Sequence, residues 1–335
     1  MKVDQRIFCV RLDSLIGSFF VRSIMATLPN AKRSFPAGPL AVIGAAILWS
    51  LDGYLRRSLY SLPAPTIVFW EHLLGGIVAF ALVNQSMHKF REFSAKQWWA
   101  IIAVSLLSGA LGTIFYTQAL SMINFIPFSV VVLLQQLQPI FTIATAKIVL
   151  KERTDWRFGL IAIVALFAAY GVSFPTLHVN FATGSGTAIA ALLAIGAAAA
   201  WGSSTVLSKI SLKGTSFLHV TAARFWITPV FALLIAAFAG SAATIPTITG
   251  AQLTTLLAIT FSTGFAALGL YYFGLQKIPA SVSTILELTW PISALLVGFF
   301  AFHDRLSVTQ WTSTAILIGT MTYLSRHRTE FEPTR

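Results

Sequence analysis

Apolar stretches long enough to cross a lipid bilayer follow one another along almost the whole chain, and they leave little room for any other architecture. A helix needs about 20 mostly apolar residues to span the hydrocarbon core. The sequence predicts ten such spans, at 38–58, 65–85, 97–119, 126–147, 156–175, 185–208, 217–239, 250–274, 280–302 and 308–325. Their connectors are short and carry Pro, Gly, Asn or charge, as in Ser61-Leu62-Pro63-Ala64-Pro65 and Lys277-Ile278-Pro279. No stretch alternates polar and apolar residues with period two, which argues against a membrane β-barrel. The expected fold is an all-α polytopic membrane protein.

Composition closes the alternatives. Of 335 residues, 56% are hydrophobic and 10% charged, where a soluble domain carries about 25% charged. The same figures exclude a disordered chain. One cysteine, Cys9, excludes a disulfide scaffold and a Cys-type zinc site. The net charge of +12 raises the question of nucleic acid. The basic residues instead sit in short clusters between apolar runs, as cytoplasmic loops do. The expected partners are the lipid bilayer and a small-molecule substrate, with no nucleic acid, no metal and no cofactor.

Residues 1–37 read as a basic tail, with Lys2, Arg6, Arg11, Arg22, Lys32 and Arg33 interrupting a semi-apolar run. The tail either lies on the membrane or reflects a start assigned too early, with Met25 as the alternative. Residues 327–335 form a short tail at the other end. With the amino terminus in the cytoplasm, the inner loops hold Lys89, Arg91, Lys96, Lys147, Lys151, Arg153, Arg157, Lys209, Lys213 and Lys277, and the outer loops only Arg56, Arg57 and Arg305. By the positive-inside rule both termini are expected in the cytoplasm.

An internal repeat emerges when the chain is shifted by 152 residues. Gly44-Ala45-Ala46 meets Gly196-Ala197-Ala198, Trp49 meets Trp201, Arg57 meets Lys209, Pro139 meets Pro291, and Lys151-Glu152-Arg153 meets His303-Asp304-Arg305. Asn124-Phe125-Ile126 looks like an insertion in the first half, so the register slips by about three residues between blocks. The halves, 38–180 and 181–326, hold five spans each. An odd number makes the second half enter the membrane upside down, so the expected architecture is two inverted five-helix repeats, a construction shared by many secondary transporters.

Ten spans in two such halves, each closing with an apolar helix and a loop acid, resemble the drug/metabolite transporter superfamily, EamA type. The matching segments are Gly44–Tyr54 with Gly196–Val206, Gln138-Pro139 through Glu152, and Trp290-Pro291 through Asp304, where Glu is commoner in that family. The resemblance covers about residues 38–325. It implies a multi-span metabolite carrier in a bacterial inner membrane, from a family that handles amino acids, nucleotide-like compounds, vitamins and drugs.

Polar groups inside the spans are the candidates for function, because a charge at a helix centre costs about 2.5–3.5 kcal/mol even on the lenient scale. Trp49, Asp52, Gly53 and Arg56 share one helix face; Asp52 and Arg56 form either a rim ion pair or a cavity wall. Glu71 and His72 lie in the second span, and His72 stands 152 residues from Arg224. Arg224 is the only strongly basic residue deep in a span, and Glu71, Asp52 or Glu287 could pair with it. Such an Arg is either a static packing element or a site for a substrate carboxylate or phosphate. His72 is either a proton carrier or a satisfied core histidine.

Gln135, Gln136 and Gln138 precede Pro139, and Ser283, Thr284, Glu287 and Trp290 precede Pro291, with Gln135 and Glu287 at the 152 offset. Each proline removes a helix hydrogen bond and offers a hinge. Glu287 is the best single candidate for a group that takes up and releases a proton; a structural glutamate is the alternative. Trp49 and Trp201 could stack on an apolar or aromatic substrate or serve as interface anchors. Tyr116 and Tyr271-Tyr272 are ambiguous in the same way. Glu152 and Asp304 read as helix-terminal or gating groups.

The expected function is secondary transport, directed outward, of a small amino-acid-like metabolite by alternating access, with coupling to protons through Glu287, Glu71 and His72. No Gly-x-x-x-x-Gly-Lys-Ser/Thr loop occurs to drive transport with ATP. An intramembrane enzyme or a channel-like facilitator are the alternatives. The six scattered histidines form no His-Glu-x-x-His pattern, and no Gly-x-Ser-x-Gly elbow is present.

Overall fold

A computed structural model of the chain describes residues 37–122, 131, 134–152, 156–173, 176–177, 187–293, 296 and 307–327. The basic tail, Cys9, Arg153, His303, Asp304, Arg305 and parts of the fourth and ninth expected spans lie outside these residues. The described backbone is almost entirely helical. In chain order we number α1 (Ala37–Leu59), α2 (Ala64–Val83), α3 (Ala95–Ser121), α4 (Gln138–Leu150), α5 (Trp156–Ser173), α6 (Thr187–Ser211), α7 (Phe217–Phe238), α8 (Gly250–Leu275), α9 (Ala280–Leu286 and the turns after it) and α10 (Val308–Arg326). Six of these, α1, α2, α3, α6, α7 and α8, are long and apolar enough to cross a membrane, the second counted through to Glu92. Large apolar side chains such as Phe238, Trp99 and Phe167 face outward, which suits lipid as the surrounding solvent rather than water.

Local chemistry sets the helix boundaries. Ser94 with Gln97, Thr249 with Gln252 and Ser307 with Gln310 form reciprocal caps at the starts of α3, α8 and α10. Pro63 and Pro279 immediately precede α2 and α9, where a missing backbone N–H costs nothing. Gly214 and Gly240 reverse the chain after α6 and α7 with φ of +72° and +70°.

The packing repeats itself between the halves. α1 lies along α8 as α6 lies along α3; α1 touches α9 as α6 touches α4; and α2, α4 and α5 pack on α7, α9 and α10. Exchanging the first five helices with the second five maps this set of contacts onto itself. Such an exchange is what a pseudo-two-fold axis between inverted repeats produces.

Three departures from regular helix also come in pairs or bear on the site. α3 and α8 each carry π-helical turns, Ser105–Gly112 and Thr260–Gly264, ending on glycines 152 residues apart. The chain tightens just before both prolines: Leu137 N–H reaches Leu134 O and Trp290 N–H reaches Glu287 O, three residues back instead of four. α1 is not the continuous span read from the sequence. It breaks at Ser50–Leu51, separating Ala37–Trp49 from Asp52–Arg56.

Candidate functional site

One cavity forms where α1, α2, α3, α4, α6, α7, α8 and α9 converge, and its walls include Trp49, Asp52, Glu71, His72, Gln135, Gln138, Trp201, Arg224 and Glu287, with Pro139 and Pro291, all drawn from the sequence. The helices are close there because small residues let them approach. A Cβ on Gly202 of α6 would stand 2.7 Å from the carbonyl oxygen of Gln138 on α4, and Thr142 of α4 donates to the Gly202 carbonyl at 3.1 Å.

On one side Arg56 bridges two acids. Its Nε donates to Asp52, one turn away, and its Nη2 to Glu71 on α2 at 2.7 Å. Asp52 also accepts from Thr263 of α8 at 2.7 Å. Arg56 is 2% exposed and Glu71 5%, so the pair is not at the rim; it closes a wall of the cavity. Gly53, on the same helix, is buried but not in the cavity wall.

Arg224 is where the structure corrects the sequence. None of Glu71, Asp52 and Glu287 pairs with it. Among the described residues the ion pairs within 4.0 Å are those of Arg56. Arg224 instead donates from Nη1 to the Tyr272 hydroxyl at 2.9 Å and from Nη2 to Ser108 Oγ at 2.8 Å, and its buried Nε has no acceptor. His72, on the facing helix, stacks on Phe225 with ring centroids 4.9 Å apart and engages the Val68 carbonyl through Nδ1.

Glu287 sits among neutral donors. Tyr271 Oη and Gln138 Nε2 each donate to it at 2.8 Å, and Ser283 Oγ at 3.3 Å. Gln135, the residue at the 152 offset, does not make this contact; it reaches the cluster by donating to Gln138 at 3.1 Å. Among the described residues no cation lies within ion-pair distance of Glu287.

Two aromatic pairs complete the walls, each joining a residue of one half to a residue of the other. Trp49 packs on Tyr271 with centroids 5.1 Å apart and planes tilted by 55°; Trp201 packs on Tyr116 at 5.1 Å and 59°. The tryptophans are 152 residues apart and the tyrosines 155. Trp201 is pinned by its Nε1 donating to Ser108 O, a carbonyl within the π-helical turns of α3. Tyr116, Tyr271 and Tyr272 were ambiguous in the sequence, and Ser108 and Thr205 were not singled out there. The three-residue slip in the repeat is a signal for the tyrosines of the two pairs, since it sets Tyr116 against Tyr271.

Glu152 lies outside the cavity wall and, among the described residues, forms no salt bridge. After Lys151 turns the chain with φ of +55°, the Glu152 carboxylate accepts the N–H groups of Ala280 and Ser281 at 2.7 and 3.0 Å and the Ser281 hydroxyl at 2.6 Å. It caps the amino end of α9, where the helix dipole favours an anion. Lys209 does the converse, donating to the carbonyls of Leu275, Gln276 and Ile278 past the end of α8.

Comparison with known proteins agrees with this architecture. Over 291 residues the chain is 32% identical to the riboflavin transporter ImpX of Fusobacterium nucleatum subsp. nucleatum, an alignment covering 86% of this chain and 97% of that one. It is 27% identical over 146 residues to an uncharacterized transporter of Synechocystis sp., covering 42% and 40% of the two chains. A protein of known crystal structure shares the fold with a TM-score of 0.71 at 16% identity, over 89% of this chain and 100% of that one. Residues 36–174 and 188–326 each match the EamA-like transporter family, so the repeat in the sequence is a repeat of one domain. The chain belongs to the EamA-like transporter family.

Proposed function

We propose that this protein is a carrier for a flat heteroaromatic metabolite of the flavin class, riboflavin being the first substrate to test. The observation that carries the reading is the pair of tilted Trp–Tyr contacts, Trp49 with Tyr271 and Trp201 with Tyr116, lining one cavity from opposite halves of the chain. Aromatic faces at two walls suit a planar ring, which binds by offset or edge stacking. The name of the Fusobacterium relative supports the same choice. The polyol of a flavin finds hydroxyl and amide partners in Thr205, Ser204, Gln135 and Gln138.

The substrate crosses by alternating access. The pseudo-two-fold packing gives two arrangements of similar energy, and the tightened turns before Pro139 and Pro291 supply the bending points. Glu287, bonded only to neutral donors, is the group through which a proton couples to the cycle, as the sequence suggested. The protein sits in a bacterial inner membrane with both termini in the cytoplasm.

A second reading has an observation of its own. Arg224 lacks a carboxylate partner and Glu287 lacks a cation, yet both line one cavity, an arrangement that would also suit the two charges of an amino acid. Titration of the purified protein with riboflavin, followed by quenching of flavin fluorescence, separates the two. We expect saturable quenching that phenylalanine and tryptophan do not reverse. Displacement by an aromatic amino acid, or no quenching at all, would favour the amino-acid reading.

A further inference from the structure

The two arginines of the cavity differ in one respect. Arg56 has its charge balanced by the protein, through Asp52 and Glu71. Arg224 does not. It is 8% exposed, its partners are two neutral hydroxyls, and Nε has no acceptor. The three acids of the cavity are committed elsewhere: two to Arg56, and Glu287 to Tyr271, Gln138 and Ser283. A buried cation whose only acceptors are two neutral hydroxyls is expensive, and nothing among the described residues of this state provides a further one.

The acceptor must therefore come from the substrate. Resting on the flavin reading above, we propose that Arg224 docks the carbonyl-rich imide edge of the ring, so that this edge faces α7 and the polyol points away from it. The imide edge carries two carbonyl oxygens flanking one N–H and is the most electron-rich rim of the molecule. The guanidinium donates to one of these carbonyls, and the imide N–H, which an arginine cannot accept, is left to the hydroxyl oxygen of Ser108 or Tyr272. The corner around it is rich in donors, because Ser108 and Tyr272 already accept from Arg224 and keep their own hydroxyl protons. Sugar-like hydroxyls are neutral and bring as many donors as acceptors, so they suit the amides of Gln138 at the start of α4 and of Gln135 just before it better. Arg224 thus sets both specificity and orientation.

Competition against radiolabelled riboflavin tests this. On the wild-type protein, lumichrome, which keeps the imide edge and lacks the polyol, is expected to compete. Riboflavin methylated at the imide nitrogen is expected to compete about ten-fold worse than riboflavin, because the methyl removes the N–H that a neighbouring hydroxyl accepts and stands between the ring edge and Arg224. In Arg224→Gln, riboflavin and lumichrome should weaken together by a similar factor, and the penalty for the methyl group should shrink; Arg224→Lys, which keeps the charge, should fall between. An N-methylated flavin that competes as well as riboflavin would overturn the orientation. So would an Arg224→Gln protein that loses riboflavin but keeps lumichrome. The wild-type arm decides the matter alone if neither variant folds. Failure of the wild type to bind riboflavin at all would overturn the substrate reading and this orientation with it.

Discussion

Gln138 of the first repeat donates to Glu287 of the second across 2.8 Å, one turn or less from the proline of each helix. The bond ties α4 to α9 at the place where both helices tighten, and it holds the carboxyl against the cavity. A proton arriving at Glu287 changes what this contact can do, because a protonated carboxyl must donate where a carboxylate only accepts.

Glu287→Gln removes that choice. The amide still accepts from Tyr271 or Gln138 through its oxygen, but its two N–H groups meet a cluster composed of donors. We expect substrate flux driven by a pH gradient to drop by at least about ten-fold, the scale of one charged hydrogen bond, while exchange of substrate across the membrane without a gradient survives. Flux measured with and without the gradient checks this. Gradient-driven flux at the wild-type level would make Glu287 a structural residue.

Arg56→Met leaves Asp52 and Glu71 facing each other without their cation. Breaking one partner out of a buried ion pair costs about 3–5 kcal/mol, so the melting temperature in detergent should fall clearly. Arg56→Met combined with Glu71→Leu should recover part of the loss, since one of the two uncompensated carboxylates is removed and Asp52 keeps only its Thr263 donor. A double variant no more stable than the single one would show that the pair does more than hold α1 to α2.

Gly202→Ala tests the close approach of α6 to α4. The new methyl would meet backbone, the Gln138 carbonyl at 2.7 Å and the Thr142 nitrogen at 3.1 Å, rather than a side chain able to move. We expect a loss of about 1–3 kcal/mol together with weaker substrate binding, because Gln138 is displaced with its helix. Gly159→Ala is the control: nothing lies within 4 Å of its Cβ position. Equal effects from the two substitutions would contradict the packing.

Much of the fold was legible because bilayer thickness imposes one length on every helix, and proline, glycine and capping residues mark the ends. The cavity was legible in part for a related reason. Charged and amide side chains such as Arg224, Glu287 and Gln138 are costly in hydrocarbon, so their presence in a span already points inward. Tyrosine and serine carry no such penalty, so Tyr271 and Tyr116 stayed ambiguous with interface anchors and Ser108 passed as an ordinary membrane residue. The partner of Arg224 was misread for a different reason. Sequence shows that three acids are available but not that Arg56, one helical turn from Asp52, would engage two of them. The break of α1 at Ser50–Leu51 and the π-helical turns ending at Gly112 and Gly264 depend on contacts between helices and leave no mark in apolar periodicity.

Membrane orientation is open to a chemical test. With Cys9 replaced by Ser, a cysteine at His88, exposed after α2, should react only with reagents that reach the cytoplasmic side, and a cysteine at Thr247, exposed between α7 and α8, only with impermeant reagents added outside. The reverse pattern would invert the topology.

The most direct measurement is riboflavin counterflow in proteoliposomes. Vesicles loaded with unlabelled riboflavin should take up labelled riboflavin transiently above equilibrium, with a rate that saturates and that falls in Arg224→Gln. Uptake that rises linearly with concentration and shows no overshoot would contradict a carrier, and no uptake of riboflavin by well-folded protein would contradict the substrate.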